Sequence, residues 1–130
     1  MSILKVQEFA KKFDLPAEPK PQFPVPADFM FRNGRLTEEV GEGLDAFMLD
    51  DFVAYFDSLL DLVYIAYGTA LRAGITPEQW EAGFNAVHQA NMAKVRVTDI
   101  DDSRYKNLND IIKPAGWVGP EATLQKIIYG

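Results

Sequence analysis

Apolar residues recur every three or four positions along most of the chain, and this period is typical of one face of an α-helix. The pattern predicts four main helices and a short C-terminal one. They cover residues 3–13, a segment that starts between 28 and 37 and ends near 49, about 51–72, 77 to about 95, and 121–128. No segment has the alternation of a strand, so the predicted class is all-α. Long helices joined by short loops pack as antiparallel neighbours, which predicts a helical bundle.

The segments between the predicted helices are rich in proline, glycine and turn-forming residues. Residues 16–26 include five prolines. Because proline fixes φ and lacks the amide donor, we expect an extended connector there that lies on the surface of the domain. Residues 96–120 are expected to form a loop and a tail. The length of 130 residues suits one domain, so residues 1–130 are predicted to form a single domain.

The predicted third helix contains the most apolar stretch of the chain, residues 52–71, whose only charges are Asp57 and Asp61. The stretch is long enough to cross a bilayer, but each central acid would cost about 2.5–3.5 kcal/mol there. We therefore expect a core helix that is packed over most of its circumference. The two acids are four positions apart, so they share one narrow face, which Tyr64 and Gly68 continue. Acids inside an apolar helix indicate a functional site.

Three more carboxylates share one face of the predicted second helix, at Glu38, Glu39 and Glu42. Taken alone, they are more typical of a solvated surface. If the second and third helices pack antiparallel, however, four or five carboxylates converge, and then either some stay protonated or a cation lies among them. Oxygen ligands suit Mg²⁺ or Mn²⁺ better than zinc. Gly41 and Gly43 weaken this helix, so they either allow a close approach or are compensated by packing.

Charge and composition narrow the classes of partner. The formal net charge of −6 argues against a surface that binds nucleic acid. The absence of cysteine excludes a disulfide framework, a cysteine-ligated metal and a thiol nucleophile, and it fits a reducing compartment. Residues 1–9 lack the apolar core of a signal peptide. Together these features predict a cytoplasmic protein with neither a membrane nor a nucleic acid as partner.

Polar residues near the end of the fourth helix and in the tail are candidates for binding a ligand. Asn91 continues the apolar stripe of that helix, and Lys94 follows on the same side. An amide and an ammonium can grip a phosphate, although a helix cap and a surface lysine are equally expected. In the tail, Lys113 and Trp117 can cover a ligand, with the indole stacked on a base. More often such a tryptophan docks a terminus onto the core. His88, the sole histidine, is expected to be structural, which argues against histidine-based nucleophilic chemistry.

Four segments of the chain resemble, in this order, those of the all-α nucleoside triphosphate pyrophosphohydrolases. They read RLTEEVGEGLDAF, DSLLDLVYIAYGTALRAGI, VHQANMAKV and KPAGWVGPE. The chain is most similar to the MazG-like, phosphoribosyl-ATP-pyrophosphohydrolase-like branch, which is common in bacteria and phages, and the resemblance covers most of the chain. It implies an all-α fold that assembles as a homodimer or homotetramer. It also implies Mg²⁺- or Mn²⁺-dependent hydrolysis of a (d)NTP to the monophosphate and pyrophosphate, in the host cytoplasm if the protein is phage-encoded.

The resemblance further implies the ligands of the metal. The EExxE carboxylates of the family correspond to Glu38, Glu39 and Glu42, and either Glu38 or Glu39 would orient or deprotonate the attacking water. The family's next acidic motif is often ExxD, whose Asp corresponds to Asp61. The implied metal ligands are Glu38, Glu39, Glu42, Asp57 and Asp61.

The chain departs from the ExxD pattern at one position. The Glu of that motif falls on Ser58, and Asp57 lies one position earlier, as in some relatives with DxxxD. This departure leaves the number of bound metal ions open. The Asn and Lys of the family correspond to Asn91 and Lys94. The predicted set of substrate-binding residues is Asn91, Lys94, Tyr64, Lys113 and Trp117.

Three functions are consistent with the sequence. The first is a metal-dependent (d)NTP pyrophosphohydrolase that shapes the nucleotide pool, with a purine nucleotide such as dGTP as one candidate substrate. The second is a sister activity on dUTP or phosphoribosyl-ATP. The third is a helical interaction module that has kept the fold and lost the chemistry.

Overall fold

A computed structural model describes all 130 residues and contains five α-helices and one two-stranded ladder. The helices are α1 (Ser2–Lys12), α2 (Pro26–Met48), α3 (Phe52–Arg72), α4 (Pro77–Met92) and α5 (Glu121–Tyr129), and the strands are β1 (Val95–Arg96) and β2 (Ile111–Ile112). The all-α class and the number of helices predicted from the sequence are confirmed. Contacts divide the chain into two compact units, residues 1–77 and residues 78–130. The single domain stays a prediction.

The first unit is organised around α2 and α3, which have the most extensive contact of any two helices. Only residues 49–51 separate them, and Asp51 caps α3 by accepting a hydrogen bond from the amide of Ala54 at 3.0 Å. Helix α1 packs against α3 and buries Ile3 and Val6. The helix pair is therefore joined by a tight turn at one end and covered by α1.

Helix α2 begins at Pro26, before the interval from 28 to 37 that the sequence predicts. The predicted start was wrong because Pro26, the last of the connector prolines, was assigned to the extended connector and not to the first turn of the helix. A proline suits the first turn of a helix, where no amide hydrogen is needed, and Asp28 in that turn complements the helix dipole.

The proline-rich connector runs along the C-terminal end of α3. The amide of Glu18 donates to the carbonyl of Arg72, and the amide of Gln22 donates to the carbonyl of Ala73, both at 3.0 Å. The Arg72 guanidinium also forms ion pairs with Glu18, at 3.1 Å, and with Asp28, at 2.5 Å. This one side chain therefore joins the connector, the start of α2 and the end of α3.

Helix α3 is not enclosed within its own unit, contrary to the core helix expected from its sequence. Near its start, Phe52 and Val53 are 77% and 78% exposed, and Phe56 is 56% exposed. Within this unit only α1 and α2 contact α3 extensively, and they leave these side chains at its start exposed. None of the helices has the length and apolar character required to cross a membrane.

In the second unit, α4 ends at Met92, three residues before the predicted end at 95. It stops there because Val95 and Arg96 pair with Ile112 and Ile111 in an antiparallel ladder. The loop within that ladder is closed by Ser103, whose hydroxyl donates to Asp110 at 2.9 Å. The ladder was not predicted, since two residues a strand cannot show an alternating pattern.

Helices α4 and α5 approach each other within the second unit. Gln79 of α4 donates to the carbonyl of Ile127 at 3.3 Å, and a Cβ at Gly83 would lie 3.4 Å from Leu124. The short C-terminal helix that the sequence predicts is thus confirmed and is anchored to α4.

A substitution at Gly74 tests how closely the connector packs on the end of α3. Gly74 has φ +82°, and an added Cβ would overlap the carbonyl of Lys20. Gly116 has φ +78° with open space around it, so it is a matched control. Left-handed strain costs about 1–2 kcal/mol, and overpacking adds about 1–3 kcal/mol. We expect Gly74→Ala to lose clearly more unfolding free energy than Gly116→Ala in urea denaturation followed by circular dichroism. Equal losses would show that the connector does not constrain this turn.

Candidate active site

The face between α2 and α3 brings together three of the five acids that the sequence nominates. Glu39 on α2 is buried, with only 5% of its surface exposed, whereas acids on helices are usually exposed to solvent. Its carboxyl group interacts with those of Glu42, one turn further along α2, and Asp61 on α3. The sequence predicts that four or five carboxylates converge if α2 and α3 pack antiparallel; the structure brings three of them, from both helices, within electrostatic range of one another.

Burial is the main cause of a large change in the pKa of Glu39. Removing the carboxylate from water disfavours its charged form, and a hydrogen bond and charge repulsion from Glu42 and the charge of Asp61 act in the same direction. The positive charge of Arg35 opposes them. Together they raise the pKa of Glu39 from 4.5 to about 7. This carboxyl group can therefore exchange a proton near neutral pH.

One oxygen of the Glu39 carboxylate, Oε2, is buried and has no hydrogen-bond partner. Buried polar atoms are nearly always satisfied, so this oxygen marks a position suited to binding an ion, a water molecule or a polar ligand. Glu39 also lines a cavity of about 600 Å³ that is mainly apolar and includes Gly43, Ser58 and Phe47. A ligand or ion can thus reach the region of this carboxylate.

The chemistry of the donors fits a hard divalent cation, although the side chains are not arranged as a finished metal site. Carboxylate oxygens are the ligands that Mg²⁺ and Mn²⁺ prefer. No three acidic or histidine side chains converge closely enough to hold an ion in this conformation. The unpartnered oxygen of Glu39 beside Glu42 and Asp61 is the feature that a cation would complete.

The other two nominated acids are not part of this group. Glu38 is exposed and forms an ion pair with Arg35 at 3.3 Å, one turn before it on α2. Asp57 is exposed and lies one turn before Asp61 on α3. Arg35 was not singled out from the sequence, although its spacing from Glu38 is the usual one for an ion pair along a helix.

Gly43 and Ser58 form a close contact between α2 and α3. Ser58 is 3% exposed and donates its hydroxyl to the carbonyl of Tyr55 at 2.7 Å. A Cβ at Gly43 would lie 3.1 Å from the Ser58 oxygen, whereas Gly41 has open space around it. The sequence left open whether these glycines allow a close approach or are compensated by packing. Close approach holds for Gly43 and not for Gly41. Ser58 occupies a buried helix contact with little room for a longer acidic side chain.

In the second unit, three of the nominated substrate-binding residues lie together. The ammonium groups of Lys94 and Lys113 lie 5.2 and 4.8 Å from the ring centre of Trp117. The indole nitrogen of Trp117 donates to the carbonyl of Ala90 on α4 at 2.7 Å, so the tryptophan also docks the tail onto this helix. Asn91 is exposed close to the end of α4. Two cations and an aromatic ring make a surface suited to a phosphate or a base.

Tyr64, the remaining nominated residue, lines another cavity of the first unit. Its ring meets that of Phe9 edge-on, with the ring centres 5.6 Å apart. Tyr64 follows Asp61 by three positions, so it continues the acidic face of α3 into that cavity.

The pKa of Glu39 makes a testable contribution to the pH dependence of stability. A carboxyl group whose pKa is raised from 4.5 to about 7 binds its proton more tightly in the folded chain, so its contribution is present below pH 4.5 and is lost as the pH rises to 7. Glutamine is neutral at both pH values, so Glu39→Gln does not lose this stabilising contribution as the pH rises. We expect the variant to be more stable than the wild type at pH 8 but not at pH 4.5. Urea denaturation in EDTA at both pH values measures the difference.

Glu38→Gln is the matched control for that experiment, because Glu38 is exposed and lies on the same turn. It should follow the pH dependence of the wild type. If Glu39→Gln also follows it, the carboxyl group of Glu39 is not held in an environment that favours its neutral form.

Residues 6–91 match the model of a family described as phosphoribosyl-ATP pyrophosphohydrolase. The match covers about two-thirds of the chain and includes all five nominated acids, Tyr64 and Asn91. Lys94, Lys113 and Trp117 lie beyond it. No curated protein matches the chain.

Proposed function

Because the chain belongs to the phosphoribosyl-ATP pyrophosphohydrolase family, we propose that it hydrolyses a (d)NTP to the monophosphate and pyrophosphate with a divalent metal ion. Membership of this family, within the all-α nucleoside triphosphate pyrophosphatase superfamily, makes it a hydrolase that cleaves an acid anhydride in a nucleotide-like substrate. The observation that supports the site is the buried Glu39, whose carboxylate has an unpartnered oxygen beside Glu42 and Asp61.

The acids of the α2–α3 face are the proposed ligands of Mg²⁺ or Mn²⁺. The family is typically dependent on a divalent metal. Glu39, Glu42 and Asp61 are the nearest candidates, and Glu38 and Asp57 would have to turn towards them. When bound, such an ion would neutralise the phosphate charge and make a water molecule more acidic. Burial, together with repulsion from Glu42 and Asp61, disfavours an uncompensated charge on Glu39, and this favours the binding of a cation.

Glu39 is also the proposed acceptor of the proton of the attacking water. It lies beside Glu42 and Asp61, the other nearest candidate ligands, and its ability to take up a proton near neutral pH when no cation is bound fits the role of a general base. Glu38, the other candidate, is engaged with Arg35. As the water oxygen bonds to the α-phosphorus, the bond from this phosphorus to the bridging oxygen breaks, pyrophosphate leaves, and one water proton passes to the carboxylate.

The remaining nominated residues are proposed to bind the substrate. Lys94 and Lys113 would neutralise phosphate charge, Asn91 would donate its amide, and Trp117 would offer a ring face to a base. Tyr64 would contact the part of the substrate that extends along α3 from the acids. A purine (d)NTP such as dGTP is the first proposed substrate. Phosphoribosyl-ATP fits the family equally well, and dUTP is a further candidate.

A substrate panel with a variant of one acid tests this proposal. The protein is incubated with dNTPs, NTPs and phosphoribosyl-ATP, each with Mg²⁺ or Mn²⁺, and pyrophosphate and monophosphate are quantified. We expect turnover of at least one substrate, and a loss of about a hundredfold or more in Asp61→Asn, as for other groups that stabilise transition-state charge. Asp102→Asn, an exposed acid of the second unit, is the charge-matched control and should keep full activity. Full activity of a folded Asp61→Asn would refute the site.

We further propose that the exposed apolar side of the α2–α3 turn is covered by a second copy of the chain. Phe47, Leu49, Phe52 and Val53 are each at least 75% exposed there, which is unusual for one contiguous surface. Acids lie next to this surface, since Glu39 and Phe47 line the same cavity. A homodimer or a homotetramer of this kind would enclose the site.

The oligomeric state can be measured by size-exclusion chromatography with light scattering. We expect a mass of two or four times the 14.6 kDa of the chain. The double variant Phe52→Glu and Val53→Glu places acids in the first turn of α3, where the helix dipole tolerates them, and should shift the protein to a monomer. Val118→Glu, which changes an equally exposed apolar residue of the second unit, should not. A monomeric wild type would refute this interface.

A further inference from the structure

A second cavity of the first unit, of about 530 Å³, combines apolar walls with three arginines. It is bounded by α1, α2, α3 and the start of the connector. Its charged lining consists of Arg32, Arg35, Arg72 and Asp28. Three cations and one acid in the lining distinguish this cavity from an ordinary apolar gap between helices.

Only one of the three guanidinium groups lacks an acidic partner. Arg72 forms ion pairs with Glu18 and Asp28, and Arg35 forms one with Glu38. Arg32 is partly buried and forms none. A partly buried charge is normally paired, because leaving water is costly. Arg32 is therefore the one guanidinium of this cavity without a carboxylate at ion-pair distance.

The position of the Arg32 guanidinium is fixed by neutral acceptors on α3. Its Nε donates to the Thr69 hydroxyl at 3.1 Å, and its Nη2 donates to the Ile65 carbonyl at 3.0 Å. A guanidinium has five N–H donors, so three are left. Two hydrogen bonds thus hold the group in place while its charge and most of its donors remain available.

Gly68 creates the space in which this guanidinium lies. A Cβ at position 68 would overlap Nη2 of Arg32, so no other residue fits here without moving the arginine. Burial, together with the charges of Arg35 and Arg72, lowers the pKa of Arg32. The surroundings of Arg32 are therefore unfavourable for a cation alone and favourable for an anion beside it.

The remaining walls indicate what else the anion carries. They are mostly apolar or aromatic and include Phe9, Phe31, Tyr64, Ile65 and Leu71. Phe9 and Tyr64 meet edge-on, which leaves ring surface available to a flat or apolar group. An inorganic anion would leave these walls unused.

We propose that this cavity binds an organic oxyanion, a phosphate or carboxylate group held by Arg32 and attached to an apolar or aromatic body that lies against Phe9, Phe31 and Tyr64. Such a group can have two sources. It can be an anionic substituent of the substrate itself, remote from the triphosphate, or it can belong to a separate small molecule that regulates the enzyme.

The location of the cavity is compatible with both sources. Gly68 follows Asp61 by seven positions on α3, a rise of about 10 Å. Arg35 links the two places, since it lines the cavity and pairs with Glu38 of the acidic helix. If the anion is part of the substrate, the inference rests on the proposed function. Binding to the cavity itself does not depend on catalysis.

The binding test uses 1-naphthyl phosphate as probe, in EDTA and without nucleotide, so that neither a metal nor turnover contributes. Isothermal titration calorimetry should show binding of this probe. Binding of 1-naphthol, which lacks the phosphate group, and of inorganic phosphate, which lacks the aromatic ring, should be weaker. Arg32→Ala should weaken the naphthyl phosphate by about tenfold or more, as expected for the loss of hydrogen bonds to a charged group. Arg104→Ala removes the same charge beside an exposed tyrosine of the second unit and should have no effect.

A second variant keeps the inference testable if Arg32→Ala does not fold. Gly68→Ala retains the charge and favours the helix, but it displaces the guanidinium, so it should also weaken the probe. The proposal is overturned if the wild type does not bind the probe, if 1-naphthol binds equally well, or if folded Arg32→Ala or Gly68→Ala binds like the wild type. It is also overturned if binding is lost in Lys113→Ala instead, which would assign the probe to the surface around Trp117.

Steady-state kinetics then separate the two sources. If the anion belongs to the substrate, naphthyl phosphate competes with it, and Arg32→Ala raises KM for substrates that carry a second anionic group, such as phosphoribosyl-ATP, more than for dGTP. If the anion is a separate regulator, the probe changes kcat without competing, and Arg32→Ala abolishes this change. A probe that binds but affects no turnover supports the cavity and leaves the proposed function to its own test.

Discussion

The close approach of α2 and α3 at Gly43 and Ser58 is the constraint on which the rest of the site depends. Because neither residue has a bulky side chain, the two helices come near enough to bury Glu39 between them. That burial is the main reason for the raised pKa of this carboxyl group, with Glu42 and Asp61 adding to it. A packing feature of the helix pair thus sets an electrostatic property of the site, and a wider spacing would leave an ordinary row of surface acids.

Much of the fold could be read from the chain, because the relevant signals are local. Helix α3 has its predicted bounds since Asp51 caps its start and Gly74 permits the turn after its end. Local signals fail where the partner is distant in sequence or the element is very short. The start of α2 at Pro26 was hidden among the connector prolines, and the two-residue strands β1 and β2 have no pattern to detect.

The acids could be nominated from helical spacing, but their individual states could not. Spacing places Glu38 and Glu39 side by side without indicating that one faces Arg35 and solvent while the other is buried against α3. Arg32 was missed for a related reason. Nothing in the sequence distinguishes an arginine that has an acidic partner from one that has none, since the distinction rests on contacts with residues more than thirty positions away.

The ion pairs of Arg72 have a mechanical consequence for the helix pair. The short turn at residues 49–51 joins α2 and α3 at one end, and the bond from Arg72 to Asp28 joins them at the other. The two helices therefore form a closed frame rather than a hairpin with a free end. Glu39 and Asp61 lie between these two connections, so both ends of the helix pair oppose a change in the distance between the two acids. Sliding of one helix along the other is therefore opposed at each end, by the short turn and by this ion pair.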